Sequence, residues 1–338
     1  MCLDRNHTMK AVVITRFGGP EVLEIQDVPA PQPGPDEVLV RVRSTALNRA
    51  DLLQRRGEYA APPGAPQNIS GLEFAGEVAD LGANAHRWNK DDRVMGIIAG
   101  GGHAEFVTAH QDAVAAVPPN LEWPAAGAVP EVFITAYDAL QQAGFKAAEN
   151  VLVHAVGSGV GLAATQLVNA FGGHAFGTSR TPDKIERAKA FGLEAGYVVP
   201  DPSALTNLTG FAETVTGGRG FDVVLDLTGG PYFAASLKAM ALKGRIILIG
   251  GVAGGKAEVD LYQILGKRLH VIGTVLRARS LEEKIDVTKA FADNVVPLLA
   301  NEAIQPVIDS VFPIEKIQDA HRRLESNETF GKVVLTMS

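Results

Sequence analysis

The chain has 338 residues, of which 46% are hydrophobic and 20% charged, so it is long enough for about two domains with sizeable cores. Its net charge of −7 argues against broad binding to nucleic acid or to an anionic membrane surface, since both need a basic footprint. No apolar run reaches the roughly 18 residues of a transmembrane helix, and residues 1–8 lack the apolar stretch of a secretory signal, so the cytoplasm is the expected compartment. Cys2, in an opening segment that we expect to fray, is the only cysteine, which excludes internal disulfides and multi-cysteine zinc sites.

The first 130 residues read as a β-rich domain, because short apolar or alternating runs are separated by turns. Two proline-rich stretches, Pro29–Pro35 and Ala61–Pro66, are predicted to be loops, since proline removes a backbone donor and fixes φ. The predicted strands are Met9–Ile14, Leu23–Val28, Glu37–Arg43, Phe74–Leu81 and Arg93–Ile97, with one short helix at Asn48–Arg56.

From Glu131 onward strands alternate with helices, which indicates an α/β domain with a doubly wound parallel sheet. A final strand, Lys332–Thr336, follows a helix at Ile314–Leu324, and periodicity alone does not assign it to either domain. The predicted α/β strands are Val151–Ala155, Gly173–Thr178, Tyr197–Val199, Phe221–Asp226, Gly244–Gly250 and His270–Thr274, with helices to Phe171, at Asp183–Phe191, to Val215, to Leu242 and after Leu281.

A glycine-rich turn follows the apolar strand Val151–Ala155 and opens a helix. The free N–H groups and positive dipole end of such a helix can hold a pyrophosphate, so Gly157, Ser158, Gly159 and Val160 are predicted to bind a dinucleotide. The spacing departs from G-x-G-x-x-G, and a glycine-rich turn without a ligand is the alternative.

The second strand of this domain ends at Thr178, about 19 residues beyond the glycines, where an NAD-preferring site places an acid. Here Ser179, Arg180 and Lys184 offer a hydroxyl and two cations, which suit the 2′-phosphate of NADP. The alternative is that both cations are ordinary solvated charges, and Asp183 stands nearby.

Two further glycine pairs follow strands of the same domain. Gly229-Gly230 comes after Asp226, and Gly250-Gly251 is followed by Val252. Ligands bind at the carboxyl ends of strands in such sheets, so Gly250, Gly251 and Val252 are predicted to contact the cofactor. Plain turns are the alternative reading.

Several motifs together resemble a known family over nearly the whole chain from Met9. The motifs are Leu47–Asp51, Gly57–Tyr59, Gly71–Val78, Pro130–Tyr137, His154–Gly161 and Gly331–Leu335. With them the chain resembles the zinc-independent medium-chain dehydrogenases/reductases, within them the NADPH:quinone oxidoreductases, and among these the stress-inducible branch.

The resemblance implies a GroES-like catalytic domain over residues 9–130, completed by residues 302–338, and a Rossmann NADP-binding domain over residues 131–301. It further implies an active site in the cleft and a homodimer formed by edge strands. It also implies that Thr135 lies near the nicotinamide and that Thr274, Val275 and Leu276 border its amide. Relatives often carry a tyrosine beside the adenosine phosphate where this chain has Val199.

Zinc-dependent relatives have a cysteine where Asn48 stands and a histidine where Leu72 stands. Neither asparagine nor leucine supplies the thiolate or imidazole that zinc needs, so no metal is expected. The histidines His103, His110 and His154 lack partners at ligand spacing and are expected to be packed or surface residues.

Without a metal, reduction of a carbonyl acceptor needs a hydride donor and a hydrogen-bond donor to the developing oxyanion. Tyr59 and Asn48 are the candidate donors, and in the resembled family these positions line the quinone pocket. The alternatives are that Tyr59 packs on neighbouring prolines and that Asn48 caps a helix. The hydroxyl of Ser158 either contacts the cofactor or satisfies the backbone.

These observations predict an NADPH-dependent, zinc-free quinone oxidoreductase with a small-molecule quinone or enone substrate. An enoyl or alkenal reductase of the same superfamily needs the same polarised carbonyl and is the second enzyme hypothesis. A third is a non-catalytic NADPH-binding relative, because a fold does not prove a function.

Overall fold

A computed structural model describes residues 7–337, so Cys2 and its expected fraying lie outside the described residues. The strands are β1 (Thr8–Ile14), β2 (Leu23–Pro29), β3 (Glu37–Ala46), β4 (Glu73–Leu81), β5 (Arg93–Ile97), β6 (Phe106–His110), β7 (Val114–Ala116), β8 (Asn150–Val153), β9 (His174–Ser179), β10 (Ala195–Val198), β11 (Phe221–Asp226), β12 (Met240–Leu248), β13 (His270–Gly273), β14 (Ile308–Pro313) and β15 (Lys332–Thr336). The helices are α1 (Arg49–Arg56), α2 (Trp123–Gly127), α3 (Pro130–Gln142), α4 (Gly159–Ala170), α5 (Pro182–Lys189), α6 (Leu208–Thr216), α7 (Pro231–Ala239), α8 (Leu261–Lys267), α9 (Leu281–Asn294), α10 (Val296–Ala300) and α11 (Ile317–Glu325). Three short 3-10 helices lie at Pro20–Val22, Pro202–Asn207 and Ile314–Lys316.

The chain forms two compact units. The first comprises the described residues up to Ile134 together with those from Leu276 to Met337, and the second is Thr135–Val275. The expected boundaries were 130/131 and 301/302, so the structure differs most over residues 276–301. The reason is that α9 packs against β7, a strand of the first unit.

The first unit is built on a seven-stranded sheet of order β14-β15-β3-β4-β5-β7, with β6 paired to β3. The C-terminal strand β15 joins β3 antiparallel and β14 parallel. One core cluster, with Val38, Phe74 and Val94 fully buried, lies between strands of this sheet. The strands β1 and β2 form a separate antiparallel pair.

The second unit has a six-stranded parallel sheet of order β10-β9-β8-β11-β12-β13. All six residues of β11 are buried, as expected for a strand covered on both faces. The chain reverses its direction of travel across the sheet between β8 and β11, and ligands bind at such switch points. The predicted α/β architecture, a β-rich GroES-like part plus a Rossmann-type sheet, is therefore confirmed.

Several elements were not predicted from the sequence. The strands β6, β7 and β14, of five, three and six residues, were not among the predicted strands. The helix expected to reach Leu242 ends at Ala239, because Met240 already begins β12. No helix within residues 7–337 is long and apolar enough to cross a bilayer.

Candidate functional site

The glycine turn of the second unit joins β8 to α4. Ser158 occupies the N-cap of α4, and its Oγ accepts a hydrogen bond of 3.1 Å from the backbone N–H of Gly161. The hydroxyl therefore satisfies the backbone, and its own proton remains available as a donor. A Cβ on Gly161 would lie 2.6 Å from the carbonyl oxygen of Ala155, so this position needs glycine.

Backbone strain accompanies the turn. Ala155 has a φ of 51°, in the left-handed region that residues other than glycine rarely occupy. Such outliers cluster at ligand-binding turns because the surrounding structure must hold them in place.

The predicted phosphate-binding residues lie together. Gly157 is buried, while Ser158, Gly159 and Val160 are half-buried at the start of α4. A Cβ on Gly157 would lie 2.9 Å from Cδ of Lys184, so the stem of Lys184 covers the turn. The turn and one of the two predicted cations are therefore adjacent, which fits the negative phosphates of a dinucleotide.

The tip of β9 carries the other residues of the predicted 2′-phosphate site. Ser179 is 6% exposed and its Oγ lies 3.4 Å from the N–H of Thr181, whereas Arg180 is exposed. The carboxylate of Asp183 pairs with Arg187 at 3.6 Å on the surface of α5. The negative charge of Asp183, which stands near the predicted 2′-phosphate site in the sequence, is therefore paired with a cation.

The ends of β11 and β12 carry the remaining glycines. Asp226 Oδ1 accepts hydrogen bonds from the N–H groups of Thr228 and Gly229, at 2.9 and 2.8 Å, while its buried Oδ2 has no hydrogen-bond partner among residues 7–337. A Cβ on Gly250 would lie 2.8 Å from the carbonyl oxygen of Leu227. Both turns are therefore close-packed.

The other predicted cofactor contacts differ in exposure. Gly251 and Val252 follow Gly250 and are exposed, with Val252 63% exposed. Val199 is fully buried in the core of the second unit. Its side chain therefore contributes to packing.

The four residues implied to lie near the nicotinamide belong to different units: Thr135, Thr274 and Val275 to the second and Leu276 to the first. Thr135 is buried in α3, and Thr274 Oγ1 accepts a hydrogen bond of 2.8 Å from Gln142 Nε2 in the second unit. Val275 is 49% exposed, whereas Leu276 is buried and belongs to the first unit.

The first unit brings together a set of charged and polar side chains that we call the polar cluster: Asp51, Glu73 and Lys332, which are buried, and Asn48 and Glu131, which are half-buried. Lys332 Nζ lies 2.7 Å from Glu73 Oε1 and donates to Asn48 Oδ1 at 2.6 Å. Asn48 Nδ2 in turn donates to Glu73 Oε1 at 2.8 Å. The ion pair therefore fixes the orientation of the Asn48 amide.

Asn48 also occupies the N-cap of α1. Its backbone N–H donates to Asp51 Oδ2 at 2.7 Å as one half of a capping box, which agrees with the alternative that Asn48 caps a helix. The second amide hydrogen has only a long contact of 3.4 Å to the Ala46 carbonyl, so it is the hydrogen that an acceptor could take.

Glu131 carries the most perturbed carboxyl of the polar cluster. Its backbone N–H donates to Glu73 Oε2 at 2.8 Å. Burial and the neighbouring Glu73 charge raise the pKa of Glu131 to about 8, so the carboxyl is largely protonated at neutral pH.

Tyr59 is half-buried in the loop that follows α1, and the Arg277 guanidinium lies over its ring, 5.0 Å from the centroid. Arg277 is a partner of Tyr59 that neither sequence hypothesis named, whether Tyr59 serves as a hydrogen-bond donor or packs on neighbouring prolines. Arg277 was not singled out in the sequence, because nothing local marks an arginine 218 residues away as the neighbour of a tyrosine.

The three noted histidines have partners within their own units. His103 is fully buried with its Nδ1 3.1 Å from Ser70 Oγ, and His110 Nδ1 accepts from the Asp112 N–H at 3.2 Å. His154 lies between Thr178 and Ser236, and burial lowers its pKa to about 4. Within residues 7–337 no group of three or more His, Cys, Asp and Glu side chains could hold a metal ion.

The Glu73–Lys332 ion pair was also missed, although a signal existed. Lys332 is the one charged residue within Gly331–Leu335, and Glu73 is one of two, with Glu77, within the otherwise apolar run Gly71–Val78. A charge at a buried strand position predicts a partner of opposite sign.

Two family models match the chain. Residues 34–119 match the alcohol dehydrogenase GroES-like domain, and residues 193–335 match the zinc-binding dehydrogenase model. A human quinone oxidoreductase is 30% identical over 336 residues, which cover 97% of this chain and 98% of that protein.

Solved structures of similar proteins share the fold. A mycobacterial protein solved in complex with NADPH has a TM-score of 0.84 and 30% identity, covering 97% of this chain and 99% of that one. An NAD-dependent alcohol dehydrogenase has a TM-score of 0.83 and 30% identity, covering 98% of this chain and 100% of that one. These neighbours indicate a nicotinamide cofactor.

Proposed function

Because the chain belongs to the medium-chain dehydrogenase/reductase family, we propose that it is an NADPH-dependent, zinc-free quinone oxidoreductase. The observation that carries the choice of cofactor is the pair of cations, Lys184 beside the glycine turn and Arg180 directly after β9, with Asp183 paired to Arg187. A dianionic 2′-phosphate would be held there by charge-assisted hydrogen bonds. The quinone acceptor is supported by relatives that carry that name.

The residues of the second unit fit a reduced dinucleotide. Gly157, Ser158, Gly159 and Val160 would hold the pyrophosphate at the start of α4. Gly250, Gly251, Val252, Thr274 and Val275 would contact the rest of the cofactor, as would Thr135. The contact of Leu276, a residue of the first unit, stays a prediction from the resemblance. The bound nicotinamide would supply the hydride.

The chemistry of the first unit is that of hydrogen-bond donation. The Tyr59 phenol and the second amide hydrogen of Asn48 can each stabilise the oxyanion of a reduced acceptor. Metal activation is disfavoured because Asn48 and the buried Leu72 offer no thiolate or imidazole where zinc-dependent relatives are implied to have them.

The cofactor assignment is tested by measuring NADPH and NADH affinities of the wild type, Lys184→Ala and Arg180→Ala. Each substitution is expected to weaken NADPH about tenfold or more and to leave NADH within about twofold, since one charge-assisted contact is lost. Lys189→Ala, which removes an exposed cation from the same helix as Lys184, is the control and leaves both affinities unchanged. Equal losses for both dinucleotides would contradict the proposed site.

The acceptor is tested with a panel of quinones, enals and enoyl thioesters at fixed NADPH concentration. Quinones are expected to support the highest kcat/KM. Preference for the enals or thioesters would favour the enoyl or alkenal reductase. No turnover with any acceptor, together with a rise in melting temperature on NADPH addition, would identify a non-catalytic NADPH-binding protein.

We also propose a homodimer joined through β13. This strand is the last of the six-stranded sheet, and Val271 on it is 43% exposed. Nearby in the chain, Leu261, Tyr262 and Leu265 of α8 are 64%, 79% and 67% exposed. Val271→Lys is expected to halve the mass measured by sedimentation, because a charge opposes edge pairing.

A further inference from the structure

Arg277 is a buried cation held only by neutral groups. Its side chain is 5% exposed, and its Nε donates to the Ala99 carbonyl at 2.7 Å. Its Nη2 donates to Gln54 Oε1 at 2.5 Å, and its Nη1 lies 3.5 Å from the Tyr59 carbonyl. No ion pair joins it to a carboxylate within the described part of the chain.

A buried charge without a counterion is costly, and a neutral side chain could bridge these oxygens at a smaller cost. Burial lowers the pKa of the Arg277 guanidinium, while the Tyr59, Asp51 and Glu131 groups raise it. The guanidinium nevertheless stays charged at any physiological pH. Hydrogen bonding alone therefore does not explain why a positively charged side chain is buried at this position.

The neighbour of this charge is the ring of Tyr59. A guanidinium over an aromatic face is attracted to it and restricts the ring to one orientation. Arg277 also ties the loop of Tyr59 to two fixed points, Gln54 on α1 and the backbone at Ala99. The ring of Tyr59 therefore lies against a guanidinium whose own position is fixed by hydrogen bonds.

We infer that Arg277 is the positioning residue for Tyr59: it orients the phenol and stabilises the negative charge that gathers on the phenol oxygen as the proton leaves. This inference rests on the proposed function. In that reaction the acceptor gains a hydride from NADPH, which becomes NADP⁺, and a proton from the Tyr59 O–H. The phenolate then regains a proton from water, which balances the step.

The experiment is a double-mutant cycle of Arg277→Met and Tyr59→Phe, with kcat and KM measured for quinone and NADPH. Arg277→Met is expected to lower kcat by about 10- to 100-fold, since misplacing a catalytic group costs this much. In the Tyr59→Phe background the same change is expected to alter kcat by less than about twofold, because nothing remains to be positioned. The KM for NADPH stays unchanged.

The matched control is Arg41→Met, which removes an exposed guanidinium 5.6 Å from the ring centroid of Phe106 and should leave kcat unchanged. If Arg277→Met does not fold, Gln54→Leu removes one anchor of the guanidinium and is expected to give a smaller loss, again only when Tyr59 is present.

The outcomes separate the two proposals. If the wild type turns over quinones and the Arg277→Met and Tyr59→Phe effects multiply independently, Arg277 does not position Tyr59, and the proposed function stands. If the wild type turns over no acceptor, the proposed function fails and the inference fails with it.

Discussion

The two units build their candidate sites from different materials. At the ends of β8, β11 and β12 the second unit uses backbone: glycine turns, free N–H groups and one strained alanine, Ala155, with cations on the rim. The first unit instead buries side-chain charges from distant elements, such as Glu73 on β4 and Lys332 on β15. A backbone site tolerates loss of a side chain, whereas a buried charge network depends on every member.

Breaking the polar cluster should have the largest effect. Lys332→Met leaves Glu73, which is fully buried, without its ion-pair partner and is expected to lower the free energy of unfolding by about 3–5 kcal/mol. Denaturant titration measures this. The control is Lys189→Met, which removes an exposed ion pair with Glu186 and should cost no more than about 0.5 kcal/mol. Similar losses for both variants would show that the cluster contributes no more than a surface pair.

Acid should act next most strongly, through His154 of the second unit. The pKa of His154 falls from 6.5 to about 4 on burial. Between these two pH values the unfolded chain binds a proton at His154, whereas the folded chain does not. The stability that is present above pH 6.5 is therefore lost as the pH falls towards 4, by on the order of 3 kcal/mol.

The check is His154→Gln, which keeps a donor and an acceptor for Thr178 and Ser236. Its denaturation midpoint should depend less on pH between 6.5 and 4 than that of the wild type. Burial also lowers the pKa values of His103 and His321, so some acid sensitivity remains in the variant. If the denaturation midpoint of His154→Gln depended on pH as steeply as that of the wild type, His154 would not be the source of the acid sensitivity.

The first unit also contains a backbone position, Gly71, that only glycine fits. It has a φ of 102°, and a Cβ there would lie 2.3 Å from the backbone nitrogen of His103. Gly71→Ala is expected to cost about 2 kcal/mol more than Gly64→Ala, since Gly64 has a φ of 87° with nothing within 4 Å of its Cβ position. Both variants place a side chain at a positive φ, but only Gly71→Ala also brings a Cβ against the His103 backbone. The difference between their melting temperatures therefore measures the steric clash, and equal losses would mean that the backbone moves to relieve it.

The contrast between the units also decides what the sequence could foretell. The turn at Gly157 and Gly159 is local, so one stretch of chain shows the strand, the glycines and the helix together. Glu73 and Lys332 are 259 residues apart, and only the pairing of β15 with β3 and of β3 with β4 brings them into contact. Arg277 is a similar case, because periodicity assigns residues to elements but not side chains to one another. The grouping of α9 with the first unit depended on packing in the same way.

An opposite pH effect is expected from Glu131 of the polar cluster. Its folded pKa of about 8 lies above the ordinary 4.5, so stability present below pH 4.5 is lost as the pH rises through 8. Glu131→Gln should flatten the melting temperature between pH 6 and 8.5, a range chosen to span roughly this pKa. Its partner Glu73→Gln offers a second test, because losing that charge lowers the pKa of Glu131 and should move the loss of stability to lower pH. A melting temperature that falls equally in Glu131→Gln would contradict the assignment.

The smallest effect concerns the hydroxyl of Ser158, where the second unit does use a side chain. Ser158→Ala removes the acceptor for the Gly161 N–H at the start of α4 and is expected to cost about 1 kcal/mol of stability. Ser158→Gly, which caps almost as well, should cost only a few tenths. If the hydroxyl serves the backbone alone, both variants bind NADPH as the wild type does once folded. A loss of NADPH affinity in both would show that the Ser158 proton is donated to the cofactor, so that here the second unit also relies on a side chain.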